Sequence, residues 1–90
     1  MATPDLAAVR EVRAAHPERI AETARRRRRR PLLGDDGRLL VVAADHPARG
    51  ALAVGRDQAA MADRAELLAR LVVCLENPGV DGVLGTPDIL

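Results

Sequence analysis

Six consecutive apolar residues, 39–44, are followed at once by Asp45 and His46. Strands of parallel sheets are covered on both faces, so they read as unbroken apolar runs of this kind. The pattern predicts a buried strand over residues 39–44. The carboxyl ends of such strands carry the ligand-binding side chains of α/β proteins. Asp45 and His46 are therefore the first candidates for a functional site.

A helical pattern follows this strand after a loop that contains Pro47, Gly50 and Gly55. Asp57 offers an N-cap and Asn77-Pro78-Gly79 a stop, which predicts a helix over residues 58–76. Apolar side chains fall on one face of it at helical spacing, namely Met61, Ala65, Leu68, Leu71, Val72 and Leu75. We expect this face to pack on the sheet.

A second short strand is predicted over residues 80–84. Thr86-Pro87-Asp88 then has the order of a cap, a proline and an acid, which predicts the start of another helix over residues 86–90. Strand, helix and strand make a right-handed βαβ unit with parallel strands. Two strands cannot cover their own faces and edges. We therefore expect the chain to be poorly stable and to self-associate.

The N-terminal residues 1–31 are predicted to form a helical segment that precedes the unit over residues 32–90. Thr3-Pro4-Asp5 starts a helix, and His16-Pro17 interrupts it because a residue before proline avoids the α region. A second helix then runs into six arginines, Arg25–Arg30. The N-terminus lacks the basic and apolar regions of a secretory signal.

The arginine run has two interpretations. It is a solvated helix end, where cations are favoured by the helix dipole, or it is a patch for nucleic acid or an acidic protein. The chain has no aromatic residue to stack on bases, and Glu18 and Glu22 dilute the positive charge. Nucleic acid is thus the less favoured partner. The second interpretation describes a small non-enzymatic interaction module.

The composition limits the number of domains, the partners and the cellular location that the sequence allows. Ninety residues allow one small domain, and a net charge of +1 points to no particular partner. Cys74 is the one cysteine, which rules out an internal disulfide and suggests a cytoplasmic location. No apolar run approaches the ~18 residues of a membrane span. His16, His46 and Cys74 give no compact ligand set, so neither a metal nor a cofactor is expected.

Three segments, Leu40–His46, Arg49-Gly50 and Val80–Asp88, resemble the N-terminal quarter of class I aldolase-type (β/α)8 barrels. The group in question is related to bacterial fructose-bisphosphate and deoxyribose-phosphate aldolases. The resemblance covers about residues 32–90. It implies an α/β fold in which an N-terminal helical segment is followed by the βαβ start of a truncated TIM barrel.

The same resemblance implies a lyase of carbohydrate catabolism that breaks or forms carbon–carbon bonds through a Schiff base. Asp45 and His46 would be its catalytic residues. Arg49 would bind a sugar or sugar-phosphate substrate, since a guanidinium matches carboxylates and phosphates. The chain contains no lysine, so it cannot form the imine itself. We expect it to be inactive alone, and whether it is an enzyme at all stays open.

Overall fold

Three α-helices and a two-stranded sheet form the part of the chain that the structure describes. The structure is a computed structural model and describes residues 3–90, so Met1 and Ala2 of the predicted 1–31 segment lie outside the described residues. In chain order the elements are α1 (Leu6–Ala15), α2 (Glu18–Arg26), β1 (Val41–Ala44), a 3-10 helix (His46–Arg49), α3 (Arg64–Leu75) and β2 (Gly82–Gly85).

The two strands pair in parallel, and the register runs from Val41 opposite Gly82 to Ala44 opposite Gly85. α3 joins them and covers one face of the sheet. The buried cluster between them consists of Ala44, Leu67, Leu71 and Ile89, with Val42, Met61, Leu68 and Val83 packed against it. This small aliphatic core holds the strand ends in place.

The helix after β1 begins at Arg64, later than predicted. The carboxylate of Asp63 accepts the backbone N–H of Glu66 at 3.1 Å and caps the helix. Asp57 instead accepts the N–H of Ala59 at 3.0 Å within a turn. Asp63 caps the helix because it accepts the N–H of the third residue beyond it, as an N-cap does, whereas Asp57 accepts that of the second residue beyond it.

Both predicted strands have shifted bounds. β1 starts at Val41, while the backbone of Leu40 is bonded to Asp81 through its carbonyl and its N–H, each at 2.8 Å. β2 covers Gly82–Gly85 rather than residues 80–84. In place of the helix predicted over 86–90, the carbonyl of Thr86 accepts the N–H groups of Ile89 and Leu90 at 2.9 and 3.2 Å, which makes a single turn.

The predicted fold class, the truncated start of a TIM barrel, is wrong. Residues 3–90 form a small unit of three α-helices and one two-stranded parallel sheet. The physical reason is that an unbroken apolar strand followed by an amphipathic helix is common to parallel α/β units in general. Such a pattern does not specify how many strands a sheet has or whether it closes.

Arg30 ties the arginine run to the loop before β2. α2 ends at Arg26, so the rest of the run lies beyond the helix. The Arg30 guanidinium donates to the carbonyl oxygens of Pro78 (3.2 Å) and Val80 (2.7 Å), and its Nη2 lies 3.0 Å from an Asp81 carboxylate oxygen. One residue of the run is therefore a structural clamp.

Asp88 forms a second tie, which joins the end of β2 to α3 and α1. Its carboxylate accepts from the Thr86 hydroxyl and pairs with Arg64 Nε at 2.9 Å, and its carbonyl accepts from Arg13 at 3.4 Å. The hydrogen bond from Thr86 is the largest influence that lowers the pKa of the Asp88 carboxyl, and the charges of Arg64 and Arg13 lower it further.

Among the described helices, none has both the length and the hydropathy that a membrane crossing requires.

Replacing Arg30 by glutamine tests the clamp. Loss of a charged donor shared by two carbonyl oxygens and a carboxylate should lower the free energy of unfolding by about 1 kcal/mol, since these groups are partly exposed. The matched control is Arg28→Gln in the same run. Urea unfolding followed by circular dichroism measures both, and equal effects would show that Arg30 has no special role.

The contacts of Asp88 should make the free energy of unfolding fall as the pH is lowered into the acid range. The folded pKa of Asp88 lies below the ordinary value of 3.8, so the unfolded chain binds this proton first as pH falls. The stabilisation is complete above the ordinary pKa and is lost as pH falls through the lower, folded value. Between about pH 6 and about pH 3 the urea midpoint should therefore fall more for the wild type than for Asp88→Asn. Asp35→Asn, in an exposed turn, should keep the wild-type slope.

Candidate functional site

The candidate site lies at the edge of the sheet where both strands end. The register places Ala44 opposite Gly85, so Asp45 and Thr86 follow directly at the same edge. α3 begins there as well, because Arg64, its first residue, is bonded to Asp88 just beyond β2. Three elements thus deliver polar side chains to one side of the molecule.

The 3-10 helix after β1 folds Arg49 back over Asp45. Asp45 has φ −90° and ψ 6°, and its carbonyl accepts the N–H of Ala48 at 3.1 Å. This backbone region is sparsely populated and recurs in active-site residues. Gly50 closes the turn at φ 71°, a left-handed conformation that favours glycine. One strand end and one tight turn therefore set the position of both side chains.

Asp45 and Arg49 form an ion pair with 2.7 Å between Oδ2 and Nη1. The carboxylate is mostly covered, with 25% of its side chain exposed, whereas 58% of the arginine side chain is exposed. A guanidinium has five N–H donors, and the pair uses one of them. The exposed remainder of the arginine can donate to a ligand while the pair persists.

His46 has a buried ring nitrogen without a partner. Its Nδ1 atom is shielded from solvent and makes no hydrogen bond within residues 3–90. A buried polar atom left in this state costs about 1–3 kcal/mol. The tautomer of a histidine is normally fixed by a hydrogen bond at one nitrogen. Within residues 3–90, no such bond is made at Nδ1 of His46.

Of the three residues predicted from the sequence, the structure brings Asp45 and Arg49 into contact and places His46 between them in the same turn. The catalytic roles of Asp45 and His46 and the substrate-binding role of Arg49 stay predictions. Over the described residues, no three His, Cys, Asp or Glu side chains are grouped to hold a metal ion.

Sequence reasoning missed Arg64. Its Nε atom pairs with Asp88, while its Nη1 atom is buried without a partner inside the described part of the chain. The available signal was the cap at Asp63, which makes Arg64 the first helical residue and so places it at the carboxyl edge of the strands. Thr86 and Asp88, also at this edge, bond to each other and serve the turn that starts there.

Comparison with known proteins identifies relatives of this chain. The Cgl0159-like family model matches residues 37–90. The crystal structure of Cgl0159 from Corynebacterium glutamicum (Brevibacterium flavum) is 62% identical, with a TM-score of 0.81 over 93% of this chain. The aligned part is 28% of that solved chain, so this chain spans less than a third of its length. Comparison with curated proteins gave no match.

These findings correct the predicted family and function. The family model that matches is the Cgl0159-like one, and no aldolase family model matches. The resemblance to class I aldolases is therefore wrong, and the Schiff-base lyase and carbohydrate catabolism inferred from it lose their basis. It rested on short strand-end segments, which many α/β proteins share. The alternative of a small interaction module is not supported either, because the chain matches part of a longer protein and Arg30 is bound within the fold. With a family match over more than half of its residues and a solved relative of 62% identity, the chain belongs to the Cgl0159-like family.

Proposed function

We propose that this chain contributes a binding site for a small polar anion to a Cgl0159-like protein. The site consists of Asp45, His46 and Arg49 at the carboxyl edge of the sheet. The observation that carries the proposal is the joint presence, in one turn, of an exposed guanidinium on a covered carboxylate and a buried imidazole nitrogen without a partner.

Arg49 supplies the group that attracts the anion. Its planar fork of donors matches the two oxygens of a carboxylate or phosphate. Asp45 holds the guanidinium at 2.7 Å, so the arginine loses less rotational freedom when a ligand arrives. A preorganised arginine of this kind favours a small anion over a neutral molecule.

Asp45 and His46 determine which chemical groups the site favours in the part of the ligand next to its anionic group. An ionised carboxylate only accepts hydrogen bonds, so Asp45 favours a ligand that also carries a hydroxyl. The His46 ring brings a nitrogen that has no hydrogen-bond partner within residues 3–90. These two residues are therefore the ones that we propose to orient the part of the ligand next to the anionic group.

A phosphorylated polyol or sugar presents both features, an anionic group and neighbouring hydroxyls, and is the ligand class that we propose.

We also propose that the protein is cytoplasmic. The support for this second proposal is the free thiol of Cys74, since free cysteines are typical of a reducing compartment. The two proposals stand separately, since the first rests on the site alone.

Arg49→Gln tests the site, with Arg56→Gln in the following loop as the matched control. Titration with inorganic phosphate, followed by backbone amide NMR shifts, should give changes centred on residues 45–50. Loss of a charge-assisted hydrogen bond should weaken phosphate binding about tenfold in Arg49→Gln and leave Arg56→Gln near the wild type. Glycerol is the uncharged control ligand. Equal losses in both variants, or shifts confined to residues 25–30, would contradict the proposal.

Asp45→Asn has the opposite expected sign. The substitution removes the negative charge next to the bound anion and releases one arginine donor, so inorganic phosphate should bind more tightly than to the wild type. Binding of glycerol 3-phosphate should gain less, because its hydroxyls lose an ionised acceptor. Weaker binding of both ligands would mean that Asp45 acts mainly by holding Arg49 in place.

A further inference from the structure

An apolar groove surrounds the last described residues of the chain. Two adjoining cavities of about 500 and 590 Å³ share Leu68, Val72, Ile89 and Leu90. Val9 of α1 extends the groove on one side and Leu75 of α3 on the other. We call this surface the Leu90 groove. It runs between α1, α3 and β2, and neither cavity is lined by a residue of the Asp45 turn.

The groove includes apolar side chains that a helix normally buries. Val72 is 53% exposed and Leu90 is 70% exposed, and Leu75 is also exposed. Val72 and Leu75 belong to the predicted apolar face of α3 but stay exposed, whereas Leu67, Leu68 and Leu71 pack in the core. Contiguous exposed apolar surface of this kind marks an interaction site.

Arginines border the groove. Arg10 and Arg13 of α1 lie along one side, and Arg27 lies near its far end. Asp88 and Asp81 also line the groove, but the carboxylate of each is paired with an arginine, Arg64 and Arg30 respectively, so the remaining charge of the border is positive. An apolar floor with a positive border suits an amphipathic helix whose apolar face is flanked by acidic residues. The chain itself enters the groove through the turn at Thr86, where two backbone hydrogen bonds already have helical spacing.

The length of the solved relative indicates where such a helix comes from. The aligned region is 28% of that chain, so most of a Cgl0159-like polypeptide has no counterpart among these 90 residues. We propose that the Leu90 groove binds an amphipathic helix supplied by this remaining part of a Cgl0159-like polypeptide. A second copy of the 90-residue chain is the competing occupant.

The test compares the 90-residue chain with a chimera in which this chain replaces the aligned part of the solved relative. Hydrogen exchange of peptides from α3 reports whether the groove is covered. We expect amides around Val72 to exchange about tenfold more slowly in the chimera than in the chain alone. Equal exchange rates in the two proteins would overturn the proposal.

Val72→Asp and Val73→Asp form a matched pair. The two valines are neighbours with 53% and 52% exposure, but only Val72 lines the groove. In the chimera, Val72→Asp should lower Tm by several degrees more than Val73→Asp, because it places a charge in an apolar interface. In the 90-residue chain the two variants should lower Tm equally.

Two further measurements cover the remaining outcomes. If the aspartate variants fail to fold, Val72→Ala and Val73→Ala make the same comparison with a smaller change. Sedimentation of the 90-residue chain tests the second copy. A dimer that Val72→Asp dissociates and Val73→Asp leaves intact would overturn the proposal, as would equal loss of Tm by the two variants in the chimera.

Discussion

The burial of Leu67 and Leu71 of α3 against Ala44 and Ile89 is the contact on which the rest of the structure depends. It holds α3 across two short strands that would not pair stably on their own. Because the strands are parallel, their carboxyl ends and the start of α3 share one edge. The position of the Asp45 turn follows from this packing, and so does the polar cluster at Asp88.

Polar ties supplement a core that contains no aromatic side chain. Arg30 joins the segment after α2 to the loop before β2, and Asp88 joins β2 to α3 and α1. Both ties are partly exposed, so each contributes less than a buried apolar contact would. Their importance lies in orientation, since they connect elements that share few apolar contacts.

The sequence predicted the local elements better than it predicted their bounds or their meaning. The apolar run before Asp45 does end in a strand, because its residues suit a covered sheet. The start of α3 was misplaced because Asp57 and Asp63 both have the chemistry of a cap, and only the structure shows which of them accepts the N–H three residues on. The Asp45–Arg49 pair depends on a 3-10 helix where the sequence predicted only a loop, and the unpartnered nitrogen of His46 depends on packing that no local pattern contains. The sequence segments around Asp45 and Asp81 could not identify the fold or the family, because strand-end patterns of this kind recur across α/β families. The predictions of a TIM barrel and of an aldolase therefore had too little behind them.

The Arg30 clamp has a consequence for how related sequences can diverge. Two of its acceptors are main-chain oxygens, at Pro78 and Val80, and every amino acid offers the same oxygen. The side chains at these two positions can therefore be substituted without removing the oxygens that accept hydrogen bonds from Arg30. Position 30 and position 81 have no such latitude, since a guanidinium and a carboxylate must both be present. Within the Cgl0159-like family, we therefore expect the residue types at positions 78 and 80 to vary while the arginine at position 30 is retained.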